Sequence, residues 1–280
     1  MKALNLSFAL TLAASAAFGQ IQDTPWKKEN TQNRKPIPYA YVREADVMWS
    51  KRVWRTIDLR EKMNHPLYYP TSPTNDRKSL FDVIKEGVMS GEIYAFDNPA
   101  FDDQFRVRMD KNQVNALFFQ TDTVTQEDPF NPNTYKKVAI TTELTSDAIV
   151  DWWIKEDWYF NKQTSTMEVR IIGLCPLKAK LDPSTGEAVG VSPLFWVYFP
   201  QCRDLLARNE VFNPQNDQRM SFDDLFQKRM FSSYITKESN VYSDGNDRSF
   251  NNYCSGLDLL MESDRVKNDL FNKEHDMWHF

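Results

Sequence analysis

The chain has 280 residues, with 34 Lys and Arg against 39 Asp and Glu, for a formal charge of −5. Interspersed signs with a mildly acidic sum leave no basic footprint for nucleic acid. Aromatic residues make up 14% and glycines number eight, a composition that suits a packed core and argues against intrinsic disorder.

The first nineteen residues carry one cation, Lys2, then an apolar stretch from Leu4 to Phe18, ending in Ala17-Phe18-Gly19. Small residues flank a cut before Gln20, so 1–19 reads as a secretory signal peptide, too short and wrongly flanked for a membrane span. No cysteine lies near the cut, so the mature chain is not itself a lipoprotein. Loss of Lys2 takes the formal charge from −5 to −6. Beyond the signal the longest apolar run, Leu194 to Phe199, is six residues, far below the roughly 20 that cross a bilayer.

Residues 20–40 are polar, with Pro25, Pro36 and Pro38, and read as an extended arm: either a solvated terminus or a strap onto a neighbour. Residues 41–280 read as the folded domain. A strand is expected over Asp46 to Ile57, a short acidic-basic helix over Asp58 to Asn64 closed by Pro66, and a loop over 64–77. Ser79 and Asp82 form a helix-start signal for Leu80, Val83, Ile84 and Val88, and Gly91 stops that helix. Glu92 to Phe96 is extended. Strands are expected at Phe105–Met109 and Asn115–Phe119, with a loop over Gln126 to Asn133. Thr145 or Ser146 caps a helix carrying Ile149, Trp152, Trp153 and Glu156. Trp158–Phe160 and Met167–Leu174 form a hairpin, Asp182 to Gly186 a turn, and Leu194–Phe199 a buried strand. A helix over Val266–Phe280 ends the chain. Irregular mixing without a βαβ rhythm gives an α+β class, a single compact mixed domain.

An internal echo leaves two similar halves, 41–140 and 141–280, open beside coincidence of ordinary helix grammar. Asp58-Leu59, Asn64, Pro70 and the helix at Phe81 with Met89 are followed in the same order by Asp204-Leu205, Asn209, Pro214 and Phe222 with Met230.

Chemistry-bearing motifs are sparse. His275 and His279 stand at the helical spacing of a zinc pair, with Glu274, Asp276 or His65 as the only third ligand; the plain reading is an amphipathic terminal helix whose apolar face carries Leu270, Phe271, Met277, Trp278 and Phe280. The acid pairs Asp102-Asp103 and Asp223-Asp224 fit solvated loops or helix starts as well as a glycosidase cleft. Gly87 to Gly91 has its serine one place off a nucleophile elbow, and no phosphate-binding glycine loop exists. Cys175, Cys202 and Cys254 allow one disulfide with one thiol left over, or three buried thiols. In a strand Trp49, Lys51, Val53 and Arg55 share one face and Arg52 and Trp54 the other, so the tryptophans do not form one stacking platform. One is expected to enter the core and the other an interface, where Trp and Arg are common anchors.

Four stretches carry a family resemblance: VMWSKRVWRTIDLREKMNHPLYYP at 47–70, FDVIKEGVMSGEIYAFD at 81–97, SPLFWVYFPQCRDLLARNEVFNP at 192–214 and KNDLFNKEHDMWHF at 267–280. Together they resemble the GldN/PorN family of the type IX secretion and gliding machinery. The resemblance implies a non-enzymatic periplasmic scaffold, without cofactor, metal or membrane span. It would join an outer-membrane lipoprotein of the GldK/PorK type in a ring and meet motor proteins of the GldL/PorL and GldM/PorM types. Interface candidates are Trp49, Trp54, Arg55, Tyr68, Tyr69, Phe271, Trp278 and Phe280. The alternatives are a periplasmic metal-dependent hydrolase using His275 and His279, or a glycan-binding module using Trp49 and Trp54.

Overall fold

The strand β1 (Val47–Asp58) sets the architecture, because every residue from Val53 to Ile57 is buried. A strand with both faces covered must lie between two layers. β1 pairs antiparallel with β5 (Ile149–Asn161) on one side and β9 (Tyr234–Glu238) on the other. The computed structural model describes residues 33–277 apart from 75–76, 98–99, 101–102, 128–134, 183–187, 213–218 and 240–248.

Outward from β5 the sheet continues through β6 (Thr166–Leu181), β8 (Trp196–Tyr198) and β2 (Ala95–Phe96), with β7 (Ala188–Pro193) also on β6. β3 (Phe119–Glu127) and β4 (Tyr135–Glu143) form a separate hairpin. One face of the sheet presents Ile57, Trp152, Ile154, Leu174 and Val197 to the main core. That core is closed by α2 (Leu80–Ser90), α4 (Phe199–Arg208) and α5 (Phe222–Gln227), after the single helical turn α1 (His65–Tyr68). The terminal helix α6 (Leu257–Asp276) covers the far end of the same face, against Val53, Ile235 and Phe250. On the opposite face Trp54, Phe96, Cys175 and Trp196 make a small cluster with Phe105 and Trp153.

Helix signals local to the chain hold. Ser79 accepts from the Asp82 amide at the start of α2, and Gly91 ends it at φ +80° in the left-handed region that glycine adopts freely. Ser221 and Asp224 do the same work for α5. The hairpin of β5 and β6 is present with longer strands than its sequence suggests.

Other expectations are corrected. The piece read as a helix over Asp58 to Asn64 is the end of β1, a turn and a 3-10 turn at Lys62–Asn64, and Pro66 opens α1 instead of closing a helix. Asn115–Phe119 belongs to α3 (Lys111–Phe118), not to a strand: Asp110 and Gln113 form a capping box, and Val114 and Phe118 bury one face. The helix expected from Thr145 is only a 3-10 turn, Ser146–Ala148; Ile149, Trp152, Trp153 and Glu156 lie in β5. Phe105–Met109 makes one isolated bridge, Phe96 with Arg108, instead of a strand. Phe199 opens α4 instead of ending β8. Residues 183–186 of the turn expected at Asp182–Gly186, and most of the loop at Gln126–Asn133, lie outside the described residues.

β1 from the first suggested half sits between β5 and β9 from the second, so both contribute to one sheet. The echo is weaker in space than in sequence: Asp58-Leu59 follows a strand, whereas Asp204-Leu205 lies within α4.

Candidate interaction surfaces

The aromatic-basic segment is mostly internal. Trp54 is 7% exposed; its indole donates to Asp103 Oδ2 at 2.7 Å, and Lys237 Nζ lies 4.1 Å from its ring centre. Trp49 is half-buried against the cluster under α6. Arg55, expected at an interface, is 6% exposed and donates from Nε to Glu156 Oε2 at 3.0 Å. Burial lowers the Arg55 pKa and Glu156 opposes that fall. Glu156 also accepts from Arg229 at 2.9 and 3.2 Å and from the Trp158 indole at 3.1 Å. Neither Trp54 nor Arg55 is available to a partner in this fold, because β9 and the Asp103 segment cover them.

Tyr68 is half-buried against the main core, while Tyr69 is exposed, meets Tyr68 and His65 edge-on, and lies tilted to Phe212 at 6.3 Å between ring centres. Arg77 stands 5.9 Å from the Phe212 ring centre. This leaves Tyr69 as the exposed member of an aromatic patch.

The terminal helix has two apolar faces. Ser263, Val266 and Leu270 are buried on one. On the other, Leu257, Leu260, Met261 and Phe271 are 71%, 48%, 63% and 66% exposed. Leu257, Met261 and Phe271 fall in one row at alternating steps of four and three, with the polar Asp264 and Asn268 between Met261 and Phe271. The helix starts nine residues before the expected Val266, at Leu257. Leu270, expected with Phe271 on the sticky face, is a core residue. Trp278 and Phe280 lie outside the described residues.

The titratable groups are engaged in the fold. Asp223 binds Arg203 at 2.9 and 3.1 Å, and Asp224 caps α5. Asp103 holds Trp54 and the buried Lys155, whose pKa is lowered by burial; Asp102 lies outside the described residues. Cys175 and Cys202 are buried free thiols raised by burial, and Cys254 is a free, half-buried one. His275 is exposed on α6, and His279 lies outside the described residues. Among the described residues no group of three or more His, Cys, Asp and Glu is placed to hold a metal.

One pair went unseen in the sequence. Asp58 and Asp151 face each other across β1 and β5. Burial, then the Asp58 charge, pushes Asp151 up to about 6, and its Oδ1 is buried without a hydrogen bond. Arg60 holds Asp58 low. Only the pairing register shows this contact, since the residues stand far apart in the chain. The cavity of about 230 Å³ near the root of β3 and β4 is lined by residues such as Phe118, Glu143 and Lys178, and by neither aspartate.

The family model of gliding motility associated protein GldN matches residues 42–279. The chain belongs to the GldN family. Membership makes it a component of the gliding motility and type IX secretion machinery, and the GldN family is a structural component, not a known enzyme family. No curated protein matches the sequence. No helix among the described residues is long and apolar enough to cross a membrane.

Proposed function

We propose that this GldN-family chain is a non-enzymatic periplasmic scaffold. Residues 1–19 direct its export as a signal peptide, and 41–280 form the working domain. It joins an outer-membrane lipoprotein of the GldK/PorK type in a ring and meets the GldL/PorL and GldM/PorM motor proteins.

The observation that carries this reading is the two-faced helix α6. A helix docked by one apolar face and exposing four large apolar side chains on the other is built to be covered. Tyr69 and its aromatic neighbours supply a second patch, and two unlike patches are what a head-to-tail ring requires. Charged groups locked into core pairs fit a structural role better than a catalytic one.

The test replaces Met261→Glu and Phe271→Glu together. The expected result is a chain that folds normally, yet neither co-purifies with the lipoprotein nor forms rings by negative stain. Full retention of rings and co-purification would place the contact elsewhere.

A further inference from the structure

Residues 33–40 run extended along the domain, and two arginines each grip them twice. Arg203 donates from Nη2 to the Ile37 carbonyl at 2.7 Å, and its guanidinium lies 4.2 Å from the Tyr39 ring centre. Arg170 donates to the Ala40 carbonyl and stands 5.0 Å from the same ring. Gln227 donates to Tyr39 Oη at 2.8 Å, and Arg34 pairs with Asp224 at 2.7 Å.

The centre of the seat is held from the domain side. Arg203 is fixed by its two bonds to Asp223, so its guanidinium points where the carbonyl and ring arrive. The segment itself is suited to leave and return. Pro36 and Pro38 restrict its backbone, which lowers the entropy lost on ordering. Ile37 and Tyr41 are exposed, and 41–43 joins the segment, without regular structure, to a 3-10 turn at Glu44–Asp46 ahead of β1.

We propose that this seat is an arm-exchange site, at which residues 34–40 of a second copy of the chain take the place of its own. The occupant is specified by the contacts in hand, since an identical segment makes identical bonds and exchange then sacrifices no contact. A segment passed from each copy to the next gives a heterologous contact of the kind that closes a ring. The inference deepens the scaffold reading and rests on it for the need of such a contact, but its test uses the purified chain alone.

Two surface variants of the chain from Gln20 separate arm from seat. Tyr39→Ala removes the anchor; Arg170→Ala with Gln227→Ala removes the seat's contacts to the Ala40 carbonyl and the Tyr39 hydroxyl and leaves Arg203–Asp223 intact. By light scattering over a concentration series, the unaltered chain is expected to associate and each variant to remain monomeric. A mixture of the two should recover hetero-association, because one variant supplies the arm and the other the seat. An unaltered chain that stays monomeric, variants that associate alone, or a mixture without heterodimers would overturn exchange. A photo-crosslinking p-benzoylphenylalanine at position 39 gives a second readout: links between copies are expected, and links within one copy only would refute it. Rings with the lipoprotein formed by the Tyr39→Ala chain would also sink exchange while leaving the scaffold reading standing.

Discussion

Arg55 and Glu156 meet inside the sheet at 3.0 Å, with side chains 8% and 0% exposed. Arg229 reaches the same carboxylate from a left-handed backbone position, φ 54°, and both guanidinium groups lie within 6 Å of the Trp158 ring centre, at 5.7 and 5.4 Å. Arg55 and Glu156 are cut off from solvent, whereas the Arg229 side chain remains 28% exposed. Such a pair adds little over a well-packed apolar replacement, yet breaking it leaves an uncompensated buried charge.

Arg55→Ala is therefore expected to lose about 3–5 kcal/mol of stability, read by urea denaturation of the purified chain. Glu156→Gln should do comparable harm, since it strands two guanidinium groups. A variant that folds with unchanged stability but loses its partner would restore the interface role that the Trp and Arg composition suggested.

Asp151 predicts a pH dependence whose sign is fixed by its raised pKa. The folded chain holds this proton up to about 6, whereas the ordinary value is 3.8. Stability from the group is thus fully present below the unfolded value and lost as pH rises through 6. Asp58, held low by Arg60, acts oppositely: its contribution is present above 3.8 and lost as pH falls. One pKa unit corresponds to about 1.4 kcal/mol, and nearby solvent discounts the full shift. Asp151→Asn should therefore stabilise the chain by about 1–2 kcal/mol at neutral pH, with the gain vanishing near pH 4. An equal gain at both pH values would mean that charge is not the cause.

The parts legible in the sequence are those decided within a few residues. Ser79 with Asp82, Ser221 with Asp224, and Gly91 announce helix ends because the capping bonds close locally. The segments at Lys111 and Ile149 carry apolar spacings that serve either element. In β5 the choice falls to its neighbours, since β1 and β6 pair with it while both faces are covered. The burial of Arg55 was hidden for a similar reason: its partner Glu156 lies 101 positions away. Of the interface candidates, Phe271 and Tyr69 are exposed, whereas Trp54 and Arg55 are consumed by long-range contacts.

Gly173 tests the packing of the small cluster. A Cβ there would stand 2.6 Å from Phe105 Cζ and 3.2 Å from Trp196 Cε3. Phe105 is held at φ 58°, a left-handed conformation with little freedom to yield. Gly173→Ala should cost about 1–3 kcal/mol and weaken the hold of Asp103 on Trp54, seen as a change in tryptophan fluorescence. Unaltered stability with unaltered fluorescence would show that the Phe105 segment gives way freely.

The two faces of α6 should separate in a melt. A cut that removes Leu270 to Phe280 takes away a side chain only 4% exposed, packed with Val266 beneath the sheet, and is expected to destabilise the domain, not merely expose an interface. Leu270→Ala alone should cost about 2–3 kcal/mol, because Val53 and Ile235 lose their cover. Phe271→Ser, one residue along and 66% exposed, should leave the thermal transition within a degree or two, as surface substitutions usually change stability by less than about 0.5 kcal/mol. Comparable losses from both variants would mean that Phe271 is covered in the isolated chain, and α6 would then be a core helix with no face to spare for a partner.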